Sequence, residues 1–235
     1  MSSLHTQYAA SQRVCALNNH GVKSLNLGDI STAHCYFAEA LETAKELILF
    51  SQREQTKTNA DLEDATAGYC FSYSSCNIRV LEGCVKGEST IYVCDRPLTI
   101  SPGQCRSSER TQPIRFLCSL ILFNMALLHH ALGLHHESRS SLEKAGRLYK
   151  RCILMASVNK ATAHNNKGAA LMVASARTNM AQIALEHGNV EVARQYLKQL
   201  GTICRCRSFA NCDVFWISIL SNVLLEDGLN TARAA

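Results

Sequence analysis

Four histidines stand within eight positions, at His129, His130, His135 and His136, and by residue type they are the part of the chain best suited to chemistry. Imidazole is a favoured ligand of zinc and copper, so the cluster is a candidate metal centre. A second group of reactive side chains lies at Cys204, Cys206 and Cys212, a C-x-C with one further thiol. These lack the paired C-x-x-C spacing of a structural zinc site, and Cys70, Cys76, Cys84, Cys94 and Cys105 are spaced too irregularly to complete one. Arg205 and Arg207 flank Cys206, and positive charge favours a thiolate, so Cys206 is the candidate for a redox response. Lys144, Arg147 and Arg151 recur at three- and four-residue steps beside Lys150, a basic stripe that suits an acidic peptide, a phosphate-rich surface or plain water. No aromatic residues interleave with it as a stacking platform, so nucleic acid is not an expected partner. None of the motifs G-x-S-x-G, G-x-x-x-x-G-K-[ST], G-x-G-x-x-G or H-E-x-x-H occurs. No catalytic residue, bound metal or cofactor is therefore assigned.

The composition describes the scaffold that must carry these groups. The chain has 235 residues, is 47% hydrophobic and contains only three prolines, which allows a sizeable core in one domain and excludes wholesale disorder. Its formal charge of +5 falls short of a nucleic-acid signature. The opening MSSLHTQYAASQR has no apolar core of a signal peptide, and no run approaches the roughly 18 uninterrupted apolar residues of a membrane span. A soluble intracellular protein, cytoplasmic or nuclear, is expected. Twelve cysteines suggest disulfides, but Cys15, Cys35, Cys118 and Cys152 fall on apolar helical stretches as buried hydrophobes do, so reduced thiols are expected instead.

One pattern occurs three times: NNHGVKSLNLGDISTAHCYFAEAL from Asn18, FNMALLHHALGLHHESRSSLEKA from Phe123 and TNMAQIALEHGNVEVARQYLKQL from Thr178. In each copy a small residue (Gly21, Ala126, Ala181) precedes a glycine (Gly28, Gly133, Gly188) by seven positions, and a small residue (Ala33, Ser138, Ala193) follows it by five. Apolar periodicity predicts a first helix pair over 12–58, with a turn at Gly28 and N-cap chemistry at Asp29 and Ser31. A second pair covers 113–158, breaking at Gly133, and a third covers 168–204, turning at Gly188 and Asn189. Residues 59–112 form a glycine- and proline-containing insertion in which NIRVL and IYV suit a small hairpin leaning on the helices. A capping helix over 211–227 and a loose tail over 228–235 complete a single domain spanning 1–235.

These residues resemble the tetratricopeptide-repeat family, whose unit is a helix pair of about 34 residues with small residues at the crossing, a glycine near the turn and an aromatic in the second helix. In the first copy Leu17, Gly21, Gly28, Ala33, Phe37 and Ala40 fill those places. In the second Ala126, Gly133, Ser138, Leu142 and Ala145 do so, and in the third Ala181, Gly188, Ala193 and Leu197. The resemblance implies an all-α fold, a TPR-like α-solenoid of stacked antiparallel helix pairs with a small β-hairpin or loop insertion. Uneven spacing of the copies makes the array irregular. His129 and His135 fall where the family carries an aromatic near the turn, which implies packed rings, with His130 and His136 directed elsewhere. The resemblance also implies a concave groove carrying Asn18, Val22, Leu25, Phe123, Leu127, His130, Thr178, Gln182 and Leu185, a mixed apolar and amide surface for a protein or peptide partner. Family members that clamp a terminal carboxylate use basic residues at such positions, and these are neutral. A non-enzymatic interaction scaffold is the leading expectation. Its rivals are a metal- or redox-responsive protein using the clustered His and Cys, and a structural spacer or self-associating module.

Overall fold

The computed structural model of the chain describes residues 3–55, 69–73, 94, 97–102, 114–157 and 167–205. These are mostly helical, in six helices: α1 (Ser3–Asn26), α2 (Ile30–Gln55), α3 (Ile114–His135), α4 (Arg139–Ser157), α5 (Lys167–Glu186) and α6 (Val190–Arg205). Two short strands, β1 (Tyr69–Tyr73) and β2 (Leu98–Pro102), pair antiparallel with Phe71 opposite Ile100. The hairpin expected of NIRVL and IYV, the capping helix at 211–227 and the tail lie outside the described residues.

The helices form three hairpins, α1 with α2, α3 with α4 and α5 with α6, and the hairpins pack in series, α2 on α3 and α4 on α5. The three turns are built alike. A residue with left-handed backbone ends the first helix: Gly28 (φ 78°), Glu137 (φ 50°) and Gly188 (φ 70°). The next N–H then reaches back five residues, from Asp29 to the Ser24 carbonyl, Ser138 to Gly133 and Asn189 to Ala184, satisfying a carbonyl the helix end would leave orphaned. Asp29, Ser138 and Asn189 next cap the second helix by accepting the N–H of Thr32, Ser141 and Val192.

This corrects the expected role of Gly133. The residue is not at the second turn but inside α3, four positions before the left-handed Glu137. Its lack of a side chain serves packing: a Cβ there would come within 2.5 Å of Leu142 Cδ2, as one on Gly21 would of Phe37 Cε1. Both glycines let the second helix of a hairpin lie close against the first. The second hairpin thus turns one helical turn later than the glycine spacing indicates.

The core centres on α3, where Leu117, Leu120, Ile121, Phe123, Leu127 and Leu128 are all buried. The stretch Phe116–His135 is long and apolar enough to cross a membrane by composition, yet 89% of it is buried within the fold, as a core helix touching α1, α2, α4, α5 and β2 would be.

Candidate functional site

Facing Cys94 and the strand β2 are α1, α3 and α5, and each holds the main chain of one residue there through one asparagine. Asn19 on α1 accepts the Ile100 N–H (2.8 Å) and donates to the Ile100 carbonyl (2.5 Å). On α3, Asn124 accepts the Leu98 N–H (2.8 Å) and donates to the Leu98 carbonyl (2.8 Å). Asn179 on α5 accepts the Cys94 N–H (2.8 Å) and donates to the Cys94 carbonyl (2.9 Å). A carboxamide offers one acceptor and two donors, and so matches the paired N–H and C=O that an extended residue presents along one edge. Leu98 and Ile100 stand two apart on β2, so both turn the same edge to the helices. The opposite edge of β2 is left to β1.

Neighbouring groups hold the clamps in place. Asn124 Nδ2 also donates to Asn18 Oδ1 (2.9 Å), and Asn18 adds a second donor to the Leu98 carbonyl (3.1 Å). Asn179 Nδ2 also donates to the Tyr149 hydroxyl (2.8 Å), which α4 supplies from the core. Burial pushes the Tyr149 phenol well above its ordinary pKa, so it stays neutral. Cys94, Leu98 and Ile100 are themselves buried, and the helices thereby satisfy polar groups that would otherwise be stranded in an apolar setting.

The helical geometry explains the spacing. Asn19 and Asn179 each stand nine residues before the left-handed turn residue, whereas Asn124 stands thirteen before Glu137. Four residues is about one turn, so all three asparagines lie on the same helix face, with Asn124 one turn further from its hairpin bend.

Of the residues expected to line a groove, Asn18 touches β2, at Leu98. Val22, Leu25, Phe123 and Leu127 are core side chains, and Phe123 packs on Tyr149 at 5.7 Å between ring centroids. Thr178 donates back to the Ala174 carbonyl, and Gln182 is buried with its Nε2 turned to Glu186. Leu185 is half-buried. His130 is buried edge-on to Tyr149. The expected column Asn18, Phe123, Thr178 lies one residue before the column that holds Cys94, Leu98 and Ile100. A signal was present: the second residue of all three repeated stretches is asparagine.

The histidine cluster divides differently from expectation. His129 and His130 are buried, while His135 and His136 are exposed and face each other with ring centroids 4.5 Å apart. The late turn explains this, since it carries 129 and 130 into the body of α3 and leaves 135 and 136 at its end. Burial lowers the pKa of His130 to about 4, with neither ring nitrogen hydrogen-bonded among the described residues, and burial, helped by Lys144 and His34, does the same to His129. No group of three metal-type side chains occurs among the described residues. Cys15, Cys118 and Cys152 are buried free thiols, and burial raises Cys15 to about 12 and Cys118 to about 11. Cys35, expected to be buried with them, is exposed. Lys144, Arg147, Lys150 and Arg151 all lie on the exposed side of α4. The side chains of Cys204, Cys206 and Cys212 lie outside the described residues.

Comparison with models of known protein families, with curated proteins and with solved structures finds no match for this chain.

Proposed function

We propose that this chain is a non-enzymatic interaction scaffold, a TPR-like α-solenoid of three helix hairpins whose concave side holds an extended peptide by its backbone. The reading is carried by one observation: three asparagines on one face of α1, α3 and α5 each make a two-way hydrogen-bonded pair with the main chain of one residue, Ile100, Leu98 and Cys94 in turn. Three such pairs form a device for binding main chain, and backbone pairing plus apolar pockets is how strand-addition sites hold peptides. Support for a repeat comes from the common turn and cap of the three hairpins and from the close helix crossings at Gly21 and Gly133. Free buried thiols at Cys15, Cys118 and Cys152 fit a reducing, soluble compartment.

The test is selection of a displayed random-peptide library on the purified full chain. The scaffold reading expects enriched peptides that bind saturably and at least tenfold more weakly after Asn19→Ala or Asn179→Ala. A chain that enriches no peptide, or whose selected peptides ignore both substitutions, contradicts it.

A further inference from the structure

His34, His129 and Lys144 come from three helices and meet on a different side of the molecule from the asparagine column. His129 stands five residues after Asn124, and at about 100° per residue that places it roughly 140° further round α3. Its ring is only 7% exposed and packs edge-on to His34 of α2, with centroids 5.7 Å apart. Lys144 of α4 lies near enough that its charge, with that of His34, acts on the ring. Because α3 packs on both α2 and α4, His129 sits where the first hairpin joins the second.

This trio has a hydrogen-bonding demand that the described residues do not meet. His129 Nε2 is buried and has no partner among them, a costly state for a polar atom. His34 is half-buried and Lys144 is exposed, so the place opens to solvent on their side. All three side chains can donate: the ammonium has three N–H groups and no acceptor, and an imidazole keeps one N–H even when neutral. Donation from His129 therefore does not require that its buried ring be charged.

The surrounding charge favours an anion. Among the residues of α3 there is no Asp or Glu. On α2, Glu39 and Glu42 are tied to Arg13 (2.6 Å) and Lys45 (3.2 Å), and on α4 Glu143 is tied to Arg139 (3.4 Å). Asp29 is turned to the Thr32 N–H, Glu46 stands about three turns along α2 from His34, and Glu137 lies in the turn before α4. Lys144, Arg147, Lys150 and Arg151, by contrast, are all exposed and have no ion pair among the described residues. Four such cations on one helix raise the positive potential beside the trio and steer an anion toward it.

We propose that His34, His129 and Lys144 form a binding site for a phosphate group, each donating to one of its oxygens. A phosphate monoester offers three strong acceptor oxygens to these three donors, where a carboxylate offers two. The phosphate belongs either to a free small-molecule ester or to a phosphorylated side chain of a partner protein, since both present the same group. The site is independent of the scaffold reading, and either can fail without the other.

The test is a titration of the full-length chain with inorganic phosphate at constant ionic strength, following the imidazole C–H resonances by NMR, with chloride as the control ion. The His34 and His129 signals shift saturably and with one common dissociation constant, while chloride moves neither. Lys144→Ala, an exposed position that leaves the fold intact by circular dichroism, weakens phosphate at least about tenfold, as expected for loss of one charge-assisted hydrogen bond. His129→Phe keeps a ring in the core and removes the donor, with the same expected loss, whereas His135→Gln changes binding less than twofold. Parallel titrations with ribose 5-phosphate and with a short phosphoserine peptide distinguish the two sources: both shift His129, and the tighter one names the source. Phosphate that leaves His129 unmoved, that moves only the exposed His135 and His136 rings, or that binds folded Lys144→Ala as tightly as the wild type overturns the proposal.

Discussion

Replacing Asn124 with alanine isolates the central clamp, and its cost can be worked from the bonds it removes. The carboxamide accepts the Leu98 N–H and donates to both the Leu98 carbonyl and Asn18 Oδ1. After truncation the Leu98 carbonyl keeps Asn18 Nδ2, but the Leu98 N–H and Asn18 Oδ1 lose their partners in a buried setting. A stranded buried polar group costs about 1–3 kcal/mol, and partial relaxation of the second brings the total to roughly 2–4 kcal/mol. That is a large share of the 5–15 kcal/mol typical of a folded domain. Asn124→Asp sharpens the test, because it preserves shape and the acceptor for the Leu98 N–H while turning a second acceptor toward the Leu98 carbonyl and Asn18 Oδ1. It should be at least as damaging at pH 7 as alanine. Urea unfolding followed by circular dichroism measures both. A loss below about 0.5 kcal/mol for both substitutions, the range of an ordinary surface change, would refute the assignment of Asn124 as a buried clamp.

His130 gives a pH dependence of known sign. Its folded-state pKa of about 4 lies below the ordinary 6.5, so the unfolded chain takes up the proton first as pH falls. The stability it contributes is complete above pH 6.5 and is lost between there and pH 4, by roughly 3 kcal/mol in all, and His130→Phe should flatten that part of a urea-midpoint profile. Alanine at Gly21 or Gly133 should cost about 1–3 kcal/mol by driving a methyl into Phe37 or Leu142, whereas Gly146→Ala, which meets nothing within 4 Å, should gain about 0.5–1 kcal/mol of helix propensity by the same assay. Glu137→Gly relieves the left-handed backbone of the second turn and should raise stability by roughly 1 kcal/mol in thermal unfolding. Brief iodoacetamide treatment of the native chain followed by mass spectrometry should label Cys35 and spare Cys15, Cys118 and Cys152.

Much of the helical organisation was legible in the chain. The turns at Gly28 and Gly188 and the cap at Asp29 follow from local chemistry that needs no tertiary partner, and α1, α5 and α6 follow from apolar periodicity. The second turn was misplaced because Gly133 carries two readings, chain reversal and close packing, and only the position of Leu142 decides between them. The same shift misassigned His130 and His135. The asparagine column that holds Cys94, Leu98 and Ile100 lies one residue from the column the sequence pointed to, because the apolar positions Val22, Phe123 and Leu127 resemble a lined groove, while they are core. Asn19, Asn124 and Asn179 could be seen as recurring, but their ligand could not. It comes from residues 85 and 81 positions away along the chain in two of the three cases, and short apolar runs in sequence do not specify what they pack on.

Residue-resolved amide hydrogen exchange of the full chain tests the central claim most directly. If three carboxamides grip a buried strand, the Cys94, Leu98 and Ile100 amides exchange far more slowly than free-chain rates, and Asn179→Ala, Asn124→Ala and Asn19→Ala each speed chiefly the amide that the lost side chain held. Exchange of all three amides at free-chain rates in the wild-type protein would contradict it.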